Sequence, residues 1–491
     1  MSKRVLAFDF GASSGRAILA TYESGKITLE EIHRFSNDPV KVNGTWYWDV
    51  LRLFFEIKEG IRKAAHSGGF DSLGIDTWGV DYAFLDKNGK MLENPVHYRD
   101  SRTDTILDEA FALIPRKELY EKTGIQIMNF NTVFQLLAVR LNNPDQLEKA
   151  DKLLFMPDLL TYFLTGEKNA EYTIASTAQL LNAKTRTWDE EVLEKIGISK
   201  DLLPGLVEPG TIVGSIFPEI AEETNSGTVP VIAVAAHDTG SAVLAVPSVD
   251  EHFIYISCGT WSLLGTELKE PITNELSASL NLTNEGGYGK TIRYLKNIMG
   301  LWLIQESRRQ WQREGQQVTF ALLEEEALKC EAFKSFVDPD DARFGKPGDL
   351  PSHIQNYCRE TGQYVPQTRG EIVRCIYESL ALKYRYALSQ VETATGIHYG
   401  VIHMVGGGTK DKFLCQLTAD ACSLPVAAGP IEATALGNAA VQLMALGEIK
   451  DIGEARRVIA ASFELLRYKP SGNDGWDKAY ERFTQLINKK H

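Results

Sequence analysis

The chain has 491 residues, 44% of them hydrophobic and 24% charged, which is longer than one hydrophobic core usually serves, so two large domains are expected. A formal net charge of −13 excludes a sequence-independent grip on nucleic acid, which needs a basic surface. A small anionic ligand stays possible, because local backbone amides hold phosphate whatever the global charge.

The six cysteines are scattered and none forms a C-x-x-C pair, so neither zinc nor a disulfide framework is indicated. The opening run Val5-Leu6-Ala7-Phe8 has a basic start but is broken at Asp9, too soon for a signal peptide or a membrane span. A cytoplasmic protein is expected. That run leads into Asp9-Phe10-Gly11-Ala12-Ser13-Ser14-Gly15-Arg16 and then into a second apolar segment, Ala17 to Tyr22, which together read as a β-hairpin. Its glycines allow a ligand close to the backbone, and Ser13, Ser14 and the turn amides are donors suited to phosphate. Asp9, at the end of the first strand, suits a hydrated Mg²⁺. The same string also fits the G-x-S-x-G nucleophile elbow, but that motif needs a helix after it, and a strand-like segment follows here. An ordinary tight hairpin is the plain alternative.

Leu51 to Ala65 has helical spacing, with Leu53, Ile57 and Ile61 on one face. Leu73 to Asp86 is strand-like but interrupted by Gly79, Asp76 and Asp81, which fits either a wall where ligand touches backbone or a bulged edge hairpin. The cluster His97 to Thr103 offers the paired donors and acceptors a polyol needs, as would any solvated loop. Helices are expected over 104–113, 133–141, 159–164 and 189–197, the last with acids at its start and Lys195 then Gly197 at its end.

Val231 to Ala236 is a short apolar run that reads as a buried strand ending in His237, Asp238 and Thr239. Asp238 either faces a ligand at the mouth of a parallel sheet or N-caps the segment that follows. The hairpin pattern then returns: Phe253 to Ser257, the small turn Cys258-Gly259-Thr260, and Trp261 to Thr266. Two halves that each open on such a hairpin suggest a duplicated fold with a cleft between them, divided as 1–244 and 245–491. Lys296 to Glu306 turns into a helix, residues 307–360 read as a peripheral insertion, and a long helix spans 371–391. Ile402 to Val405 runs into Gly406-Gly407-Gly408 and a helix over 412–422, an order that lays a flat ligand on backbone and aims helix amides at it. The spacing is not that of a dinucleotide fingerprint. Helices are expected over 433–446 and in the terminal segment 451–491.

Taken together, these strings resemble the FGGY carbohydrate kinases of the actin-like ATPase fold. The resemblance rests on Asp9 to Arg16, Tyr98 to Thr103, Ala236 to Thr239, Ser257 to Ser262 and the glycines Gly406 to Gly408. Ile75 to Asp81, Thr283 to Gly287 and Lys296 to Trp302 are similar to the branch of that family acting on L-rhamnulose. The resemblance implies an α/β, ribonuclease H-like fold of two similar domains around a central cleft. It implies ATP-dependent phosphorylation of L-rhamnulose at its 1-hydroxyl, with Mg²⁺. Carried over by motif, Asp238 is the catalytic base, and Gly79, His237, Thr239 and Asn297 contact the sugar. Ala12, Ser13, Ser14, Gly15, Arg16, Thr260, Gln305 and Gly407 contact ATP, and Asp9 lies near the metal, holding it directly or through water. Gly11 is followed by Ala12-Ser13 where the family at large has a threonine, yet the donors for phosphate remain. No Walker A string or protein-kinase catalytic loop is present. A monomer or weak homo-oligomer is expected, with no nucleic-acid or membrane partner. A nucleotide-binding module without catalysis is the competing class.

Overall fold

The computed structural model describes residues 2–248, 250–472 and 475–489. The chain forms two compact units, each assembled from separated segments. One comprises Met1–Val249, Glu267–Tyr294 and Ala433–Phe463; the other comprises Asp250–Thr266, Leu295–Glu432 and Glu464–His491. The helix Ala433–Ala445 belongs to the first unit because it packs with strands of that unit.

The first unit is built on strands β1 (Lys3–Phe10), β2 (Ser14–Glu23), β3 (Lys26–Ser36), β4 (Ser72–Thr77), β5 (Ile212–Ser215) and β6 (Pro230–Ile232). They lie in the order β5-β6-β4-β1-β2-β3. β1 and β2 form the antiparallel hairpin that the Gly/Ser turn demands, and β1 pairs in parallel with β4. Residues 5–8 of β1 are fully buried, as befits a central strand covered on both faces. The helix Val50–His66 covers the sheet with Leu53, Ile57 and Ile61, and Asp49 caps it by accepting from the Arg52 amide. The strand predicted over 231–236 stops at Ile232; Ala233 then accepts from the Gly210 amide and donates to Thr211 O, and the Thr77 amide donates to the Ala236 carbonyl (2.9 Å).

The second unit uses β7 (Ile254–Cys258), β8 (Trp261–Leu268) as far as Thr266, β9 (Ile292–Met299) from Leu295 onward, β10 (Ile402–Val405), β11 (Val426–Ala428) and β12 (Leu466–Tyr468). Their order is β9-β8-β7-β10-β11-β12. β7 and β8 form an antiparallel hairpin, and β7 pairs in parallel with β10. The long helix runs Arg369–Thr395, begun by a Thr368–Glu371 capping box and ended at Gly396. Residues 307–360 are no loose insertion: Trp311, Leu323, Phe344 and Ile354 are buried, and the helix Phe320–Leu328 packs on Arg369–Thr395. The terminal segment holds β12 as well as the helices Ile452–Ser462 and Gly475–Asn488. All six cysteines are free. Among the described residues, no helix is long and apolar enough to cross a membrane.

Candidate active site

In the first unit the strand ends gather acids. Asp9 lies opposite Arg16 across the hairpin and opposite Asp76 on the parallel strand. The Arg16 guanidinium is ion-paired with Asp9 Oδ2, so the arginine expected at ATP is already engaged with the expected metal-site aspartate. Asp76 is fully buried; its Oδ2 accepts from Asn438 Nδ2 (2.6 Å), and its Oδ1 has no partner. Burial, then the charges of Asp9 and Asp238, hold the Asp76 carboxyl well above the usual range. Nothing in the sequence reading singled out this interaction or Asn438.

The hairpin turn is tight. The Gly11 amide donates to Ser14 O (3.0 Å), and Asn37 Nδ2 donates to Gly11 O (2.9 Å). Ala12, Ser13 and Ser14 are partly exposed at its tip. Gly15 is explained by packing: a Cβ there would come within 2.2 Å of the Phe35 ring. β2 follows immediately, so the helix a nucleophile elbow requires is absent there, and the hydrolase reading fails.

Asp238 does not cap its helix. His237 is the N-cap residue of Asp238–Leu244, and Asp238 is the first helical position. Its Oδ1 accepts from the Thr239 amide and, at 3.1 Å, from Thr239 Oγ1. Among the described residues, Oδ2 is uncommitted, and the side chain is 29% exposed. Burial pushes the carboxyl above its ordinary value, with the charge of Asp9 adding to this and His237 and the Thr239 donors opposing. A carboxylate with one oxygen fixed, one oxygen open and a raised pKa is equipped to accept a proton. Thr239, expected at the sugar, is buried with its hydroxyl turned to Asp238.

His237 is held by its surroundings. Its amide donates to Thr173 Oγ1 (3.1 Å), and the preceding Ala236 amide donates to Glu171 Oε2 (3.1 Å). Glu171 also accepts from the Thr173 and Ile174 amides, and burial pushes its carboxyl up to about 7. His237 Nδ1 lies 3.0 Å from Arg293 Nη2, and Nε2 lies 3.5 Å from Asp238 Oδ1.

Gly79 adjoins a backbone outlier. Val80 has φ of 68°, a left-handed conformation that a β-branched residue rarely adopts. Thr177 Oγ1 accepts from its amide (3.2 Å), and Thr132 Oγ1 (2.7 Å) and Gln135 Nε2 (3.3 Å) donate to its carbonyl. Asp81, the second acid of this stretch, is structural: it accepts from Trp48 Nε1 (2.6 Å), Trp78 Nε1 (3.0 Å) and the Tyr98 amide (3.2 Å). Burial still pushes it up to about 6. In the cluster at 97–103, His97 stacks on Trp48 with centroids 4.2 Å apart, and Asp100 accepts from the Trp46 and Arg102 amides.

The second unit brings together two of its expected ATP contacts: Thr260 Oγ1 donates to Gln305 Oε1 (3.2 Å). Asn297 lies on β9, partly buried. Beside it, burial pushes the Lys296 ammonium down to about 8, with Asp340 opposing. The three glycines differ in purpose. Gly406 has φ of 89°; a Cβ on Gly408 would come within 2.2 Å of Cys258 Sγ; a Cβ on Gly407 would meet nothing within 4 Å. Gly407 alone of the three is exposed and borders open space. The helix Lys412–Cys422 does not aim free amides there, because a 3₁₀ turn (Gly407–Lys410) intervenes and the Asp411 carboxylate accepts from the Leu414 amide (2.9 Å).

Residues 4–245 match the family model for the N-terminal domain of the FGGY family of carbohydrate kinases, and residues 254–446 match that for its C-terminal domain. The chain belongs to this family. It is 46% identical over 488 residues to the rhamnulokinase of Bacteroides thetaiotaomicron, covering 99% of this chain and 100% of the relative. It is also 46% identical over 464 residues to that of Oceanobacillus iheyensis, covering 94% and 97%. Among solved structures, a ligand-bound xylulose kinase from Lactobacillus acidophilus matches with a TM-score of 0.79 at 18% identity, covering 99% of this chain and 98% of that one. The fold is thus the α/β, actin-like (ribonuclease H-like) one expected, and the chain is a kinase that takes ATP as phosphoryl donor.

Proposed function

We propose that this chain transfers the γ-phosphoryl group of ATP to the 1-hydroxyl of L-rhamnulose in L-rhamnose catabolism. The observation that carries the reading is Asp238: one carboxylate oxygen is fixed by Thr239, the other is open, and the residue feels the charge of Asp9 and acts on that of Asp76, in a chain 46% identical to rhamnulokinases. Asp238 accepts the hydroxyl proton as O1 bonds to the γ-phosphorus and the bond to the β–γ bridging oxygen breaks, giving L-rhamnulose 1-phosphate and ADP.

In the first unit, Gly79, His237 and Thr239 serve the sugar, and Ala12, Ser13, Ser14, Gly15 and Arg16 serve the phosphates. In the second, Asn297 serves the sugar, and Thr260, Gln305 and Gly407 serve ATP. The bare Gly407 backbone and the Thr260–Gln305 pair support the last assignment.

Mg²⁺ fits the first unit through water. Among the described residues, no three metal-type side chains converge, yet Asp76 leaves a buried oxygen unpartnered next to Asp9. Asp9, with Asp76, would hold the hydrated ion, which when bound neutralises phosphate charge. The enzyme is assigned to the cytoplasm, as a monomer or weak homo-oligomer.

A coupled ADP assay across L-rhamnulose, L-fuculose and xylulose tests the substrate. L-rhamnulose is expected to give the highest kcat/KM; a higher value for another ketose would replace it. Asp238→Asn is expected to lower kcat about 10³-fold or more with the fold intact, and undiminished turnover would remove Asp238 from its role.

A further inference from the structure

A second layer of residues stands behind His237, on the side away from Asp238. Arg293 is fully buried and held at three points. Its Nε donates to Gly286 O (2.8 Å), its Nη1 pairs with Glu285 Oε2 (3.0 Å), and its Nη2 lies 3.0 Å from His237 Nδ1. A guanidinium has donors and no acceptor, so the imidazole nitrogen facing it must offer a lone pair. The competing arrangement would put a proton on Nδ1 and direct it to Glu285 Oε2, but that oxygen is 3.4 Å away and already faces Arg293.

We propose that Arg293, braced by Glu285, is a positioning residue for phosphoryl transfer: it fixes His237 in the tautomer with its proton on Nε2, so that this N–H faces Asp238 Oδ1. Three donors then converge on that oxygen: the Thr239 amide, the Thr239 hydroxyl and the His237 ring. The Nε2–Oδ1 distance is 3.5 Å, long for a hydrogen bond, so the arrangement requires this contact to shorten in the reacting complex, as catalytic hydrogen bonds commonly do. Holding Oδ1 leaves Oδ2 as the oxygen that takes the sugar proton. With the other tautomer, a nitrogen lone pair would face the carboxylate and repel it. In this arrangement Arg293 touches neither the sugar nor the phosphates; it acts through His237. The inference rests on the reading of Asp238 as the base.

The test combines a spectroscopic and a kinetic readout. Replacing Arg293 alone strands the buried Glu285 carboxylate, a change that is strongly destabilising, so the working variant is the pair R293M/E285Q, which removes both charges and keeps the Glu285 side-chain length and an unbranched chain at 293. In ¹⁵N-histidine-labelled protein, with the His237 signals assigned by their loss in His237→Gln, the wild type is expected to carry its ring proton on Nε2. In R293M/E285Q, a thermal melt verifies the fold, the tautomer preference is lost, and kcat falls about tenfold or more while the ketose KM moves less. Arg293→Lys, which keeps one charged donor, is expected to recover part of both signals. A proton on Nδ1 in the wild type, or a folded double variant with wild-type tautomer and kcat, would overturn the proposal. Failure of the underlying reading is distinguishable: Asp238→Asn would then retain turnover, whatever the His237 spectrum shows.

Discussion

The two units solve the same structural problem with different chemistry. Each places an antiparallel hairpin beside a parallel strand: β1, β2 and β4 in one, β7, β8 and β10 in the other. At the penultimate position of the first strand the partners differ completely. In the first unit, Asp9 meets Arg16 and Asp76. In the second, Ser257 meets Leu263 and Val405, and the chain after Val405 turns through three glycines. One tip presents charge, and the other presents bare backbone. Hydrogen-bonded register fixes where strand ends come together; the last one or two residues of each strand decide what those ends do.

If the second tip depends on bare backbone, its glycines should fail in different ways, and this is the largest effect expected from the contrast between the tips. Gly408→Ala drives a methyl group into Cys258 Sγ and is expected to destabilise the protein by about 1–3 kcal/mol, the usual range for overpacking. Gly407→Ala meets no atom, so it should fold as the parent does and raise the KM for ATP instead. Thermal melts and ATP titrations of the two variants check this. Equal loss of stability in both would show that Gly407 is structural and would blunt the contrast.

The sequence revealed more of the second tip than of the first. Gly406 to Gly408 are consecutive in the chain, as are Cys258 to Thr260, and the meaning of each string is local. Asp238 was visible because it ends an apolar run, although its helix is capped by His237. What escaped was everything joined over distance. Asn438 reaches Asp76 across 362 positions, and Arg293 reaches His237 across 56. Helical and strand periodicities describe faces of single elements and carry no information on which faces meet. One miss was recoverable: writing out the hairpin register places Arg16 opposite Asp9, which foretells their ion pair. The packing of Ala433–Ala445 on β1 and β4 was hidden for the same reason as Asn438, since the helix shows an ordinary helical pattern whatever it packs on.

The acidic character of the first unit should also appear in its pH dependence. Burial raises Asp81 from 3.8 to about 6 and Glu171 from 4.5 to about 7. Both folded values lie above the unfolded ones, so the folded state keeps protons that the unfolded chain has lost. Their contribution to stability is full below the unfolded values and disappears as pH rises through 6 to 7. The melting temperature is expected to fall by a few degrees between pH 5 and pH 8. Scanning calorimetry at low and at 1 M salt separates the sources. Buried carboxyls keep the slope in high salt, whereas repulsion within a chain of net charge −13 is screened. A slope that vanishes in salt would move the origin from these two acids to the surface.

The smallest expected effect concerns Val80, where the first unit itself departs from charge and uses backbone, as the second does. Its left-handed φ costs a β-branched residue about 1–3 kcal/mol, yet three hydrogen bonds from Thr177, Thr132 and Gln135 hold it. Glycine adopts that conformation without strain but loosens the unfolded chain, and the two effects oppose each other. Val80→Gly is therefore expected to change stability by less than about 1 kcal/mol in either direction, while the same replacement at the fully buried Val231 should cost several times more. If the strained turn exists to present the Gly79 backbone, Val80→Gly should still raise the ketose KM, because the hydrogen bonds then hold a freer chain. An unchanged KM with a raised melting temperature would mean that the turn serves packing alone.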